Sequence, residues 1–246
     1  MKILFSPSEG KTAGGSGAPL NPESFIFENL YETRIVPARH YRSFIEQASL
    51  DELKTIFGTK DEKVVARYKS DIFSLPTKKA MERYEGVAYD YLQYTSLEPD
   101  ARAYIDANVI IFSNIFGPIG AGDMIPEYKF KQGSKLPGFA IENYFKEHFS
   151  AALDDYLQDD IIDLRAGFYE KFYTIKAPYL TFKFLKDGKV ISHWAKAYRG
   201  IILKTLAQKG IDTIDRFMKT PVPGLNLIDI KKVKNKTEIL FEITEE

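Results

Sequence analysis

Apolar residues in this chain follow two rhythms, and the changes between them mark out both helices and strands. Ile3 to Phe5 is a short unbroken apolar run that predicts a buried strand, stopped at Ser6-Pro7 because the residue before proline is pushed out of helical geometry. From Pro22 to Tyr84 the spacing is helical. Within that stretch Ser49 and Glu52 form a capping box, opening a helix through Leu53 and Ile56 that Gly58 closes. Asp61 to Leu75 predicts a second helix with Val64, Val65, Tyr68 and Ile72 at core spacing and Pro76 ending it. Pro99 to Ala107 predicts a helix leading into Val109 to Phe112, a β-rich run of the kind found in a central strand. Ile141 to Leu157 has one apolar face and predicts a helix, and Asp160 to Leu164 predicts a short strand.

The last third of the chain alternates more clearly. Tyr179 to Leu185 and Lys189 to His193 read as a hairpin joined at Asp187-Gly188, whose glycine supplies a positive φ. A helix then runs from near Trp194 to Gly210, with Trp194, Tyr198, Ile201, Ile202 and Thr205 as its inner stripe. Leu225 to Ile230 and Glu238 to Ile243 form a second hairpin around Lys234-Asn235-Lys236. Helices and strands alternate irregularly and the hairpins come late, so residues 1–246 read as one α/β domain with a mixed sheet flanked by helices.

Between these elements lie two glycine-rich stretches. Residues 8–21 contain Gly10, Gly14, Gly15 and Gly17 and little to pack, which predicts either a mobile surface flap or an anion cradle. Ser113 to Asp123 carries Gly117, Gly120 and Gly122 with Pro118, and reads as a loop that turns sharply or approaches something closely. Met124 to Lys131 then reads as a strand with a basic face of Lys129 and Lys131. Tyr84, Tyr89, Tyr91 and Tyr94 cluster around Gly86, in the manner of half-buried core more than of base-stacking platforms.

Composition narrows the chemistry. Of 246 residues 34 are basic and 34 acidic, so no global field draws the molecule to nucleic acid or to an anionic membrane, and any polyanion site must be local. There is no cysteine, which excludes disulfides, thiolate metal sites and cysteine nucleophiles. The three histidines are scattered, and Asp154-Asp155 with Asp159-Asp160 reads as a solvated helix end, so no metal or other cofactor is expected. No apolar run is long enough for a signal peptide or a membrane span, and the cytoplasm is the expected compartment.

Against that neutral background Ser192 to Gly200 stands out. Lys196 and Arg199 lie three residues apart on one face near the start of a helix. The macrodipole there is already positive and disfavours cations, so local helix stability does not explain the pair, whereas a bound anion does. Gly10-Lys11-Thr12 follows a strand but lacks the upstream glycine of a phosphate-binding loop, since Phe5 occupies that place. Ser6, Ser8 and Lys11 nevertheless sit just past the end of the first strand, where open α/β sheets bind ligands. Ser6 and Ser113 are not in nucleophile elbows, and a serine triad is not supported. Asp123 closes the second glycine stretch and is either a turn cap or a general acid or base.

Five blocks, Ile3-Leu4-Phe5-Ser6-Pro7 with Lys11-Thr12, Tyr84 to Tyr89, Phe112 to Gly117, Asp123 to Gly133 and Ser192 to Gly200, resemble in the same order the YaaA family of bacterial peroxide-stress proteins. Ser6, Pro7, Lys11, Gly86, Tyr89, Ser113, Gly117, Asp123, Tyr128, Lys129, Gly133, Lys196, Arg199 and Gly200 occupy the family's recurring positions. The resemblance implies an α/β domain of unusual topology with a positively charged cleft. It also implies DNA binding through a helix-hairpin-helix-like element and a role in keeping free intracellular iron low under hydrogen peroxide. The chain departs from the family pattern at Gly120-Ala121-Gly122, where the family has Arg-Pro-Leu, and at Lys129 and Lys131, where it has arginine and glutamate. Lysine does not reproduce a bidentate arginine contact.

Two functions follow as expectations. In the first, DNA is the partner, with Ser6, Lys11, Ser113, Tyr128, Lys129, Lys131, Lys196 and Arg199 contacting it while Gly86, Gly117, Gly133 and Gly200 shape the backbone. In the second, the same cleft holds a small anionic or nucleotide substrate, with Lys196 and Arg199 clamping the anion, Ser6 or Ser113 orienting it and Asp123 as the acid or base.

Overall fold

The computed structural model describes residues 1–191 and 193–244, with His193 described by its backbone alone. In chain order the strands are β1 (Lys2–Phe5), β2 (Gly10–Lys11), β3 (Lys78–Lys79), β4 (Tyr84–Glu85), β5 (Val109–Ser113), β6 (Gly117–Gly120) and β7 (Met124–Ile125). They continue with β8 (Ile161–Leu164), β9 (Tyr179–Lys186), β10 (Lys189–Val190), β11 (Leu225–Val233) and β12 (Lys236–Ile243). The helices are α1 (Tyr31–Gln47), α2 (Leu50–Phe57), α3 (Glu62–Tyr68), α4 (Ala80–Arg83), α5 (Val87–Leu92) and α6 (Pro99–Asn108). The remaining three are α7 (Ile141–Tyr156), α8 (His193–Gln208) and α9 (Ile214–Met218).

One mixed sheet in the order β11-β12-β9-β8-β1-β5-β6 forms the frame, with β10 pairing beside β9. β12, β9, β8, β1 and β5 run parallel to their neighbours, and antiparallel β11 and β6 close the two edges. The central strands read as continuous apolar runs because both faces are covered: Ile3, Leu4, Phe5, Val109 to Phe112, Ile161 and Ile162 are all buried. β1 lies between β5 and β8, so the connections leave it in opposite directions and a topological switch point falls at its carboxyl end.

The mixed sheet, the capping box at Ser49 with Glu52, the left-handed Gly58 and the positions of both late hairpins agree with the sequence reading, although the second strand of the first hairpin pairs only over Lys189–Val190 and His193 opens α8 instead of ending that strand. Four stretches differ. Residues 8–21 are not a free flap, because Gly10–Lys11 pairs with β4 and Gly17 bridges Thr77, leaving residues 13–16 exposed. Ser113 to Asp123 is not a loop throughout. Its Gly117–Gly120 segment is edge strand β6, where a proline is tolerated because one side of an edge needs no ladder. α3 stops at Tyr68 rather than Leu75, since the Asp71 carboxylate takes the Phe73 N–H and offers the backbone a turn in place of a helix. Met124 to Lys131 pairs only over Met124–Ile125; its further alternation of buried Tyr128 and Phe130 belongs to an unpaired extended segment. Ser192 and the side chain of His193, which the sequence places at the exit of the first late hairpin, lie outside the described residues.

Pro37 inside α1 removes the N–H that would bond the Thr33 carbonyl. Tyr144 of α7 donates its hydroxyl to that carbonyl at 3.1 Å, so the helix continues across the gap.

Candidate functional site

At the switch point the ends of β1 and β8 open onto a cavity of about 450 Å³. Its floor comes from Phe5 and Leu164, its walls from Tyr89 and Tyr169, and its rim from Lys196 and Arg199 of α8. The backbone around it is tied down from several sides. Ser6 Oγ accepts the Ala166 N–H at 2.7 Å, joining the two strand ends, and the Ser6 carbonyl accepts the Tyr89 hydroxyl at 2.9 Å. Across the mouth the Gln132 N–H donates to Glu9 Oε1 at 3.0 Å. Asp163 and Arg165, both buried at the end of β8, form a two-pronged ion pair with both contacts at 2.8 Å, and Arg165 also donates to the Tyr169 and Tyr173 carbonyls. This pins the turn that presents Ala166 and Tyr169.

α5 and α8 bring the remaining parts together. Gly86, with φ 119°, precedes α5 and leaves room for the Ser8 hydroxyl, to which a side chain at that position would come within 3.0 Å. Gly200 sits where any side chain would strike the Ala88 carbonyl, so the two helix backbones touch. That close crossing sets α8 so that Lys196 and Arg199 face the loop after β1.

Arg199 differs from the other inward-turned arginines. Arg34 donates to the Phe116 and Ile26 carbonyls, Arg83 to Ile125, and Arg165 to Asp163. Arg199 is half-buried, and its guanidinium makes no hydrogen bond or ion pair with any described residue. Burial pulls its pKa below the ordinary arginine value, and the Asp163 carboxylate opposes that pull. Lys196 is exposed at the rim.

The other residues singled out from the sequence are near this cavity or elsewhere in the structure. Lys11 lies directly beneath the loop, buried, donating to the Ser8 carbonyl at 3.1 Å and standing 4.0 Å from the centre of the Tyr128 ring. Burial, reinforced by Lys129 and Arg83 and opposed by Glu9 and Glu127, lowers its pKa to about 7. Tyr128 and Ser113 are interior groups: Ser113 Oγ accepts the Phe116 N–H and shares a hydrogen bond with the Tyr128 hydroxyl at 2.8 Å, which in turn meets the Tyr84 hydroxyl at 2.9 Å. Burial raises the Tyr128 pKa to about 12, so this chain of hydroxyls is neutral. Lys129 is half-buried, and its carbonyl accepts from Tyr41. Lys131 is exposed beside Gly58, its N–H held by the Ile56 carbonyl, and so belongs to the α2–α3 corner.

Asp123 takes the turn-capping role of the two the sequence left open. Its buried carboxylate accepts the Gly120 N–H at 2.8 Å and the Ile26 N–H at 3.0 Å. Burial raises its pKa to about 6 against the opposing effects of Arg34 and these two N–H groups. Gly117 has φ 66° and lies under the Phe145 ring, and Gly133 has φ 79° in the turn after Gln132.

Ser8, which the sequence placed just past the first strand, lines the cavity, and Glu9, Gln132, Ala166 and Tyr169 line it without having been singled out in the sequence. The rule that ligands gather beyond strand ends could have found Ala166 and Tyr169, because they follow β8 directly. A larger depression of about 550 Å³ lies along α5 and α8, where Lys204 is already bonded to Gln93 at 2.6 Å. Among the described residues it holds no half-buried charge that lacks a partner as Arg199 does, and the switch-point cavity is the stronger candidate. Among the described residues no cluster of three or more histidine, aspartate or glutamate side chains is placed to hold a metal ion, and no helix is long and apolar enough to cross a membrane.

Comparison with known proteins agrees with the blocks read from the sequence. Residues 1–229 match the family model described as peroxide stress protein YaaA. An uncharacterized protein of Campylobacter jejuni is 48% identical over 244 residues, covering 99% of each chain. A UPF0246 protein of Corynebacterium efficiens is 34% identical over 217 residues, covering 84% of this chain and 85% of its own. A UPF0246 protein of Fusobacterium nucleatum is 24% identical over 96% of this chain and 97% of its own.

Proposed function

Because the chain belongs to the peroxide stress protein YaaA family, we propose that it serves that response by gripping a nucleotide unit, usually one carried by DNA. Arg199 and Lys196 take the phosphate, and the ring lies between the Tyr89 and Tyr169 walls. The observation that carries this reading is the half-buried guanidinium of Arg199, which no described residue satisfies. A buried cation without a partner is costly unless something else supplies the negative charge. A cavity of about 450 Å³ suits a single nucleotide and excludes a duplex, so a terminal or extruded nucleotide is the form that fits. Lys196 at the rim would then follow a flanking phosphate.

The short helices α2 and α3 follow one another through the left-handed Gly58, but Asp61 and Glu62 already occupy the amino end of α3. Those carboxylates make it the weaker phosphate site. Any effect on free iron is indirect in this reading, for Asp154 is engaged by Tyr173 and Lys176. An enzymatic reading keeps the same pocket and uses Glu9 in place of Asp123, because the Glu9 carboxylate stands at the mouth and, among the described residues, takes a hydrogen bond from the Gln132 N–H alone.

Binding of a mononucleotide, of single-stranded DNA and of blunt duplex DNA, measured over a range of salt, tests the proposal. Arg199→Ala is expected to weaken binding by about 10–100-fold, the effect of losing a charge-assisted contact of about 1.5–3 kcal/mol. Lys196→Ala is expected to weaken DNA binding less and to lower the salt slope by about one phosphate contact. Unchanged binding by folded Arg199→Ala would overturn the assignment, and turnover of a nucleotide by the wild type would favour the enzyme.

A further inference from the structure

β11 is an open edge, and its surface is unusual. Every residue from Asn226 to Val233 is exposed. Four of the eight large apolar side chains that stand exposed among the described residues, Leu227, Ile228, Ile230 and Val233, lie on this one strand. A long exposed apolar edge pairs readily with another strand unless something covers it.

The direction of the backbone groups can be worked out. The two-residue turn Lys234–Asn235 closes on a paired Val233–Lys236, and tight turns of this kind close on a hydrogen-bonded pair. Counting back in twos, Val233, Lys231 and Asp229 direct their backbone groups to β12, while Lys232 and Ile230 direct theirs to the open edge. An independent observation agrees: the Ile230 N–H is taken by its neighbour's carboxylate, Asp229 Oδ1, at 2.8 Å.

With the outward pair centred on Ile230, the sequence is complementary to itself. An antiparallel copy with Ile230 opposite Ile230 exchanges two N–H···O bonds at the centre. Asp229 then falls opposite Lys231 of the copy and Lys231 opposite its Asp229, in the non-hydrogen-bonded sites where facing side chains come closest. Asp229 and Lys231 already share a face, standing 3.7 Å apart within one chain. On the other face Ile230 meets Ile230, extending the apolar side that β12 continues with Ile239 and Phe241. We propose that β11 is a self-pairing edge through which two copies of this chain form a two-fold dimer with one continuous sheet, Asp229 exchanging its own strand's N–H for the partner's lysine.

Sedimentation equilibrium of the full chain over a range of concentrations tests this, with circular dichroism and thermal melting as checks of the fold. The wild type is expected to run as a reversible dimer. Ile230→Pro removes a donor that β12 does not use and should leave a folded monomer. Asp229→Lys places like charges opposite each other and should also give a monomer, whereas adding Lys231→Asp to it restores the opposite pairing and should restore the dimer. A monomeric wild type, a growing assembly in place of a dimer, or a double variant no better than Asp229→Lys would overturn the proposal. If Ile230→Pro fails to fold, the charge exchange decides alone.

Discussion

Lys11 and Arg199 stand on either side of the same loop, and their surroundings lead to opposite expectations. Lys11 is enclosed by carbonyls and aromatic rings, and burial has moved its pKa from 10.5 to about 7. Between those values the unfolded chain holds a proton that the folded chain does not, so stability rises with pH through that window and the strain of a buried charge is complete below it. Replacing Lys11 with Met should therefore stabilise the fold most near pH 6 and flatten the rise between pH 7 and about 9, as read by urea denaturation at a series of pH values. A parallel pH dependence in the variant and the wild type would show that Lys11 is charged in the folded protein. The sequence pointed to Arg199 and Lys196 because cations at a helix start have no local reason to be there. It could not separate them from Ser113 and Tyr128, since polar residues that satisfy one another inside a core look the same in one dimension as polar residues waiting for a ligand.

At the scale of elements, the site depends on how closely α5 and α8 approach. Gly200 allows the contact, and a methyl group there would meet the Ala88 carbonyl, which is backbone and has nowhere to go. Gly200→Ala is expected to cost about 1–3 kcal/mol as the helices separate. It should also weaken nucleotide binding, because Gly86 and Tyr89 belong to the α5 side and Arg199 to α8. Stability from denaturation and affinity from titration should fall together; an unaltered affinity would show that the pocket does not need the close crossing. Elements with a strong periodic signal, such as α7 and the two late hairpins, were legible because many residues repeat one message. The sequence of β6 reads as loop because Gly117, Pro118 and Gly120 are poor strand formers, and the segment is held as a strand by its pairing with β5 and by Arg34 donating to the Phe116 and Pro118 carbonyls. α3 is shorter than its apolar spacing predicts because Ile72 keeps its buried place from a turn made by Asp71.

For the whole molecule, a mixed sheet was legible from the irregular order of elements, but the strand order was not. Pairing β1 with β8 brings residues 160 positions apart into one hydrogen bond, Ser6 with Ala166, and no local pattern encodes that. The cavity exists because of this long-range pairing, and the charge at its rim carries a consequence for the stability of the entire fold. A half-buried guanidinium that no described residue satisfies opposes folding, and under the proposed function a bound phosphate would relieve that cost. Arg199→Met keeps the length of the side chain and removes the charge, so the free protein should be as stable as the wild type or more stable by about 1 kcal/mol. Ligand at about 100 times its dissociation constant should stabilise the wild type by about 2.7 kcal/mol, which for a chain of this size raises the melting temperature by roughly 5–10 °C. The variant should show almost none of that rise. Thermal melting of both proteins with and without a nucleotide separates the two roles open to Arg199. A variant that melts lower without ligand yet keeps the full ligand-dependent rise would make Arg199 an anchor of α8, whereas a variant that gains or holds its melting temperature and loses the rise would show a residue kept for binding at the expense of stability.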